Sequence, residues 1–322
     1  MLAKIALIIG ITLALVAVVA VTSANKREAA ARAAWPPVGQ ILEVDGVKVH
    51  AWVKGQGPDL VMLHGAGGNL REFTFALTDL LTDRYRVILM DRPGLGYSDR
   101  SRPEYASPWA TQAETPQEQA HILATAARQL GAERPIVLGH SFGGAVALAW
   151  ALDHDPAALV LVSAVSMPWP GSLSSTYTLL GARPGDLIVP LAASAFMTDR
   201  AIDATLTSIF EPQAVPAGYA AHIGPRLSVQ RTVLRANARQ VLGLRPEVVE
   251  MSKRYDRLSL PIEVLHGDAD TIVPIAIHAR PFSEMLPSAN LTELRGAGHM
   301  PHHFHTEAVI KAINTAHRRS GR

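Results

Sequence analysis

Ser141 lies between two glycines in Gly139-His140-Ser141-Phe142-Gly143, at the join of a short apolar run and a run of small residues. Residues 135–138 read as the end of a buried strand, and 142–150 as a small-residue helix. A serine on such a strand-to-helix elbow has its hydroxyl pushed out of the sheet. The flanking glycines admit the strained backbone and let the helix approach the strand. A chain with this elbow has to place helices against a sheet, and the remaining pattern agrees.

Short apolar runs at residues 60–63, 86–90, 159–162 and 261–266 alternate with helical stretches at 70–81, 116–130 and 307–317. This rhythm predicts an α/β fold with a mainly parallel sheet and helices on both faces. Residues 41–44 and 47–53 flank Asp45-Gly46, a hairpin signal, and 292–294 form a last short strand. From residue 167 to 258 no strand pattern is visible, and amphipathic stretches stand at 191–210 and 227–242. The segment is too long for a loop and reads as a helical insertion over the sheet.

The N-terminus is of a different kind. Residues 5–24 carry no charge and are dominated by Ile, Leu, Val and Ala. About 20 such residues make a helix of about 30 Å, enough to cross a bilayer core. Lys4 can snorkel at one end, and Lys26 and Arg27 at the other. The run exceeds the about 7–15 apolar residues of a signal peptide, which favours a retained single-span anchor over residues 1–24. Thr22-Ser23-Ala24 keeps a cleaved signal open, and with it a secreted or periplasmic chain. The flanking charge leans toward a cytoplasmic C-terminal side, without fixing the side of the bilayer. Residues 25–37 read as a polar, Ala-rich continuation or linker, ended by Trp35-Pro36-Pro37. Trp35 suits a membrane interface or simple packing. The body then divides into core (38–166), helical cap (167–258) and core again (259–322).

Three loops carry side chains suited to nucleophilic catalysis. Ser141 is followed by Asp270, in Gly267-Asp268-Ala269-Asp270, and by His299, in Gly296-Ala297-Gly298-His299. Each follows a predicted strand, so all three face one sheet edge. The imidazole of His299 would take the Ser141 proton, and Asp270 would hold its tautomer. Asp268 is the rival acid, although a turn-capping role suits it better. The loop His64-Gly65-Ala66-Gly67-Gly68-Asn69 offers N–H groups for an oxyanion, with Ala66 first, Gly67 as alternate and Phe142 as partner. His64, His140 and His266 stand at strand ends and read as structural hydrogen-bonders.

Other function classes are disfavoured. The chain of 322 residues has a net charge of +2 and no basic run suited to nucleic acid. It has no cysteine, which excludes disulfides and thiolate metal sites. The Gly-rich loop lacks the Lys and Ser/Thr of a P-loop and the G-x-G-x-x-G spacing, so no cofactor is expected. The cluster His299, His302, His303 and His305 has no acidic residue at zinc-type spacing, so no metal is expected either.

With these motifs and Asp91-Arg92-Pro93-Gly94-Leu95-Gly96-Tyr97-Ser98-Asp99 in order, the chain resembles the α/β-hydrolase superfamily from about residue 41 onward. The resemblance implies eight strands, a helical cap after the sixth, and the serine branch of esterases, lactonases and carbon–carbon hydrolases. Epoxide hydrolases and haloalkane dehalogenases of that superfamily use an aspartate commonly followed by Trp, where this chain has Ser141 and Phe142. The expectation is a serine hydrolase cleaving an ester, thioester or lactone of a small or lipid-like acyl substrate. A C–C hydrolase, an acyltransferase and a membrane-tethered scaffold without catalysis stay open. The loop 91–99 is read as pocket wall, with no catalytic role for Asp91 or Arg92. Met167, Trp169, Leu179 and Phe210 are candidates for an acyl pocket or for cap core.

Overall fold

The protein's structure, a computed structural model, describes residues 1–171, 177–179 and 184–321. Eight strands form one sheet: β1 (Gln40–Val44), β2 (Val47–Lys54), β3 (Asp59–Leu63), β4 (Arg86–Met90), β5 (Ile136–His140), β6 (Ala158–Val162), β7 (Ile262–Gly267) and β8 (Ala289–Leu294). Their spatial order is β1-β2-β4-β3-β5-β6-β7-β8. Strands β3 to β8 pair in parallel, whereas β2 pairs antiparallel with both β1 and β4. The mainly parallel sheet is therefore mixed at one edge. The β1–β2 hairpin turns at Asp45 and Gly46, whose φ values of 50° and 77° suit its short loop.

The period of two along each strand divides the core. Val61, Leu63, Ile88, Met90 and Val137 face the helices Pro116–Gln129 and Phe142–Asp153. Leu60, Met62, Val87, Leu89, Ile136 and Leu138 face the other layer, with the helix Thr306–Arg319. Thr115 opens the helix Pro116–Gln129 with a capping box closed by Glu118. The helix after Ser141 lies unusually close to the sheet. A Cβ on Gly143 would sit 2.3 Å from the carbonyl oxygen of Leu63, and one on Gly139 2.3 Å from that of Gly143.

Three predicted helices have different bounds. The expected helix at 70–81 is a short helix, Arg71–Thr74, and a 3-10 turn, Thr78–Leu80. Leu70, Phe73, Leu77 and Leu81 are all buried, so the apolar spacing reported the buried face, not a continuous backbone. The stretch 191–210 is two helices, Gly185–Phe196 and Asp199–Phe210, divided at Thr198, whose side chain accepts from the Ala201 N–H. The stretch 227–242 gives way to a longer helix, Arg231–Ser252, which continues through Pro246.

The N-terminal helix runs unbroken from Leu2 to Ala34 and is long and apolar enough to cross a bilayer. The segment expected as continuation or linker is continuation. Its face bearing Ala20 and Ala24 packs on Leu191 and Ala195 of the cap helix Gly185–Phe196. Ser23 Oγ and Arg27 Nη1 both donate to the Ala195 carbonyl, at 2.9 and 2.8 Å. Glu28 accepts from Ser194 at 2.8 Å and pairs with Arg231 at 2.9 Å. Trp35 ends the run, its indole N–H donating to the Ala221 carbonyl at 2.7 Å. This bond sets Trp35 against the cap.

Two outcomes follow from this packing. Gly143→Ala drives a methyl into the Leu63 carbonyl and should cost about 3 kcal/mol or more in urea unfolding. A chain starting at Val18 keeps the cap contacts of Ala20, Ser23, Ala24, Arg27 and Glu28 and should resist limited proteolysis in the cap as the full chain does. A chain starting at Trp35 loses Ser23, Arg27, Glu28 and Arg32 and should be cut there markedly faster; equal rates would show that the cap does not depend on the helix.

Candidate active site

Loops at the C-terminal ends of the parallel strands meet above the sheet. Ser141 directly follows β5 with φ 53° and ψ −119°, a backbone shape rare for a residue with a Cβ. Its N–H donates to the Val162 carbonyl at 3.0 Å, and its own carbonyl accepts from Gly144 at 2.9 Å and Val165 at 3.1 Å. These bonds hold a conformation that costs on the order of 1–3 kcal/mol in isolation.

Two distant loops reach this serine. His299, after β8, places Nε2 3.0 Å from Ser141 Oγ. Its Nδ1 lies 2.8 Å from Oδ2 of Asp270, after β7. Oδ1 of Asp270 accepts the N–H groups of Ile272 and Val273, each at 2.9 Å. Burial pushes the Asp270 carboxyl up, but His266, His299 and the Val273 N–H outweigh it and hold it well below the usual range. An ionised Asp270 only accepts, so His299 carries its hydrogen on Nδ1 and offers the lone pair of Nε2 to the Ser141 hydroxyl. Asp268 is exposed and accepts the Gly296 N–H at 2.6 Å, which ties one loop to the other.

Two groups that sequence reasoning missed or read as merely structural hold the His299 loop. Gln213, from the cap, donates to the Gly296 carbonyl at 2.6 Å and accepts the Gly298 N–H at 2.9 Å. His140, beside the serine, lies with Nε2 2.9 Å from the His299 carbonyl oxygen. Nothing in the local sequence marks Gln213, because its partners are backbone atoms more than eighty residues away.

The Gly-rich loop after β3 stands over the serine. The Gly67 N–H donates to Oδ1 of Asn237, on the cap helix Arg231–Ser252, at 2.7 Å. This occupies the alternate donor, and Asn237 has no sequence signal of its own. Among the described residues, the N–H groups of Ala66 and Phe142 have no protein acceptor. Ala66 is exposed, while Ser141, Asp270 and His299 are buried, so the loop forms the open side of the site.

A second cluster lies behind His299. Glu72 Oε1 lies 2.9 Å from His302 Nε2 and 2.6 Å from His303 Nε2, and Oε2 accepts the Tyr219 hydroxyl at 2.5 Å. The acid absent from the histidines' own neighbourhood in sequence thus arrives from across the fold. The three groups lie within 4.8 Å of one another, a set able to ligate an ion. Two ligands of a tetrahedral ion at about 2.0–2.1 Å would stand about 3.3 Å apart, so the shorter spacings are those of hydrogen bonds. Burial raises the Glu72 carboxyl, but these donors win and hold it well below its usual value.

The buried histidines make the fold sensitive to acid. Burial lowers His64, His278 and His302 to about 4, and His140 well below its ordinary value. Between that range and about 6.5 the unfolded chain binds more protons than the folded one, so stability falls as pH falls. Thermal unfolding followed from pH 7 to 5 should lose on the order of 1 kcal/mol or more per such histidine. A flat profile would mean that these rings are solvated or protonated in the folded protein.

The fold and its loops have counterparts. The profile of the alpha/beta hydrolase family matches residues 60–312. A pimeloyl-[acyl-carrier protein] methyl ester esterase of Aeromonas hydrophila is 31% identical over 277 residues, covering 80% of this chain and 95% of its own. An esterase from Rhodococcus sp. ECU1013 has a TM-score of 0.63 at 24% identity, over 87% of this chain and 98% of its own. A membrane phospholipase A has a TM-score of 0.61 at 19% identity, over 97% of this chain and 98% of its own. The two structural likenesses speak for the fold alone. The extent of the family match, with the esterase relative, makes this chain a hydrolase that belongs to the alpha/beta hydrolase family.

Proposed function

We propose that the protein is a membrane-anchored serine hydrolase that cleaves an ester, thioester or lactone of a small or lipid-like molecule through an acyl-enzyme on Ser141. The observation that carries this reading is the spacing of 3.0 Å from Ser141 Oγ to His299 Nε2 and 2.8 Å from His299 Nδ1 to Asp270. Ser141 Oγ attacks the carbonyl carbon as its proton passes to His299 Nε2. The carbonyl oxygen becomes an oxyanion, held by the N–H groups of Ala66 and Phe142. The intermediate collapses, the C–O or C–S bond breaks, and the leaving group takes the proton from His299. Water, deprotonated by the same nitrogen, then releases the acid and frees Ser141. Asp270 keeps the imidazole in its tautomer and stabilises the imidazolium.

The membrane part rests on the apolar helix Leu2–Ala34 and its seat on the cap. Esters with a long acyl chain suit a hydrolase held at a bilayer. A membrane phospholipase A shares the fold over 97% of this chain; the substrate class itself rests on the apolar helix.

A fluorophosphonate probe should label Ser141 in detergent-solubilised protein. Ser141→Ala should abolish labelling and lower ester turnover by about 10³-fold or more, with Asp270→Asn near 10⁴-fold. Folded wild-type protein that resists the probe and turns over no activated ester would sink the reading. A panel of p-nitrophenyl esters of graded chain length reads substrate class, and preference for long chains is the expected result.

A further inference from the structure

We propose that Arg92 is a positioning residue for the oxyanion site: its guanidinium fixes the Gly65–Ala66 peptide so that the Ala66 N–H faces Ser141, and it braces Phe142, which supplies the second donor. The inference rests on the serine-hydrolase reading above. Arg92 is fully buried, yet among the described residues no carboxylate touches its guanidinium. Nε donates to the His64 carbonyl at 2.9 Å and Nη2 to the Gly65 carbonyl at 2.8 Å. Nη1 is held by Gln119 Oε1 at 2.7 Å and Gln240 Oε1 at 3.3 Å. The guanidinium carbon stands 4.3 Å from the centre of the Phe142 ring. The two carbonyls, the amide oxygens and the aromatic face offset the cost of burying this cation.

The peptide geometry makes the connection to chemistry. A trans peptide is planar, so its C=O and N–H point in opposite directions. A fork that draws the Gly65 carbonyl to one side turns the Ala66 N–H to the other. Gly65 itself abuts the serine, since a Cβ built on it would lie 3.1 Å from Ser141 Cβ, so an N–H turned away from the fork is placed beside the reacting residue. His64 reinforces the setting. Its Nε2 accepts the Arg92 N–H at 3.0 Å, which leaves the hydrogen on Nδ1, 3.0 Å from the Gly65 oxygen. If the peptide turned over, a carbonyl would replace the N–H and repel the developing negative charge. Arginine suits the task because its planar fork spans two successive carbonyls while stacking on an aromatic ring; a lysine ammonium is a compact point charge with no planar fork.

The test compares transition-state with ground-state binding. In Arg92→Lys, kcat for an activated ester should fall about 10–100-fold, with KM within about two-fold. A trifluoromethyl ketone, which forms an oxyanion on Ser141, should lose affinity by the same factor. In Arg92→Ala, added ethylguanidinium should restore kcat about five-fold or more. Unchanged kcat, or a loss seen only in KM, or a fall in kcat with the ketone's affinity intact, would overturn the proposal. If both variants fail to fold, Gln119→Leu carries the test. It leaves the cation in place but removes the shorter of the two bonds that hold Nη1, and should lower kcat about 3–10-fold with a matching loss of ketone affinity; no change refutes the role. Failure of the underlying reading looks different: wild-type protein would then escape fluorophosphonate labelling at Ser141, whatever Arg92 does.

Discussion

At Gly143 the elbow helix lies against the carbonyl oxygens of Leu63 and His64, with no space for a side-chain carbon between them. This contact joins the end of β5 to the end of β3. Ser141, on one side, and the Gly-rich loop, on the other, are therefore placed by a single piece of close-packed backbone. Backbone-to-backbone contact is stiffer than contact through side chains, which have rotamers to yield. The positive φ at Ser141 is sustained by the same arrangement, since its peptide groups are engaged by Val162, Gly144 and Val165. What the remaining loops add is reach, bringing an imidazole and a carboxylate to a hydroxyl whose position is already set.

Charge around this point follows one rule. Asp91, Glu72 and Asp270 are buried carboxylates, and each is surrounded by several hydrogen-bond donors. Burial alone would raise all three, yet the donors keep them low. Nearby rings meet the opposite fate, because burial lowers His64, His140 and His302 by more than the neighbouring carboxylates of Asp91 and Glu72 raise them. The result is a neighbourhood of fixed anions and neutral imidazoles. Arg92 completes it as a cation drawn down to about 9 by burial, still protonated at neutral pH. Each ring then has a defined donor and acceptor nitrogen, and the hydrogen bonds that orient the site keep a single direction.

What the sequence made legible was local. The elbow and the hairpin at Asp45-Gly46 each declare themselves within a few residues, because the backbone strain of a tight turn is satisfied by neighbours. Ser141, Asp270 and His299 were legible because each follows a strand, and the ends of parallel strands share an edge. Asn237, Gln213 and Glu72 were not. Asn237 and Gln213 sit in helical or irregular cap sequence, and all three gain their roles from partners that only the folded cap or core brings near. Arg92 stood inside a recognised motif, but the residues around it in sequence gave no hint that it grips two carbonyls of another loop. The break at Thr198 shows the same limit from the other direction, where an amphipathic period continued across a chain that did not.

The N-terminal helix changes character along its length, and the change explains how its apolar part and the cap come to form one piece. Its first part is apolar on every side and exposed, with Ile8, Ile9, Leu13, Val16 and Val19 among the uncovered side chains. From Ala20 onward one face is covered. Ala20 and Ala24 are small and one turn apart, so the cap helix Gly185–Phe196 can approach closely. Ser23, Arg27 and Glu28 flank that seam and bind the end of the cap helix, and Arg32 reaches Gln230 at 3.0 Å. No helix-breaking residue separates the two parts, so whatever fixes the first part in space also orients the second. The cap in turn holds the Gly-rich loop through Asn237 and the His299 loop through Gln213. A continuous mechanical path therefore runs from the apolar helix, through the cap, to two of the loops that build the site.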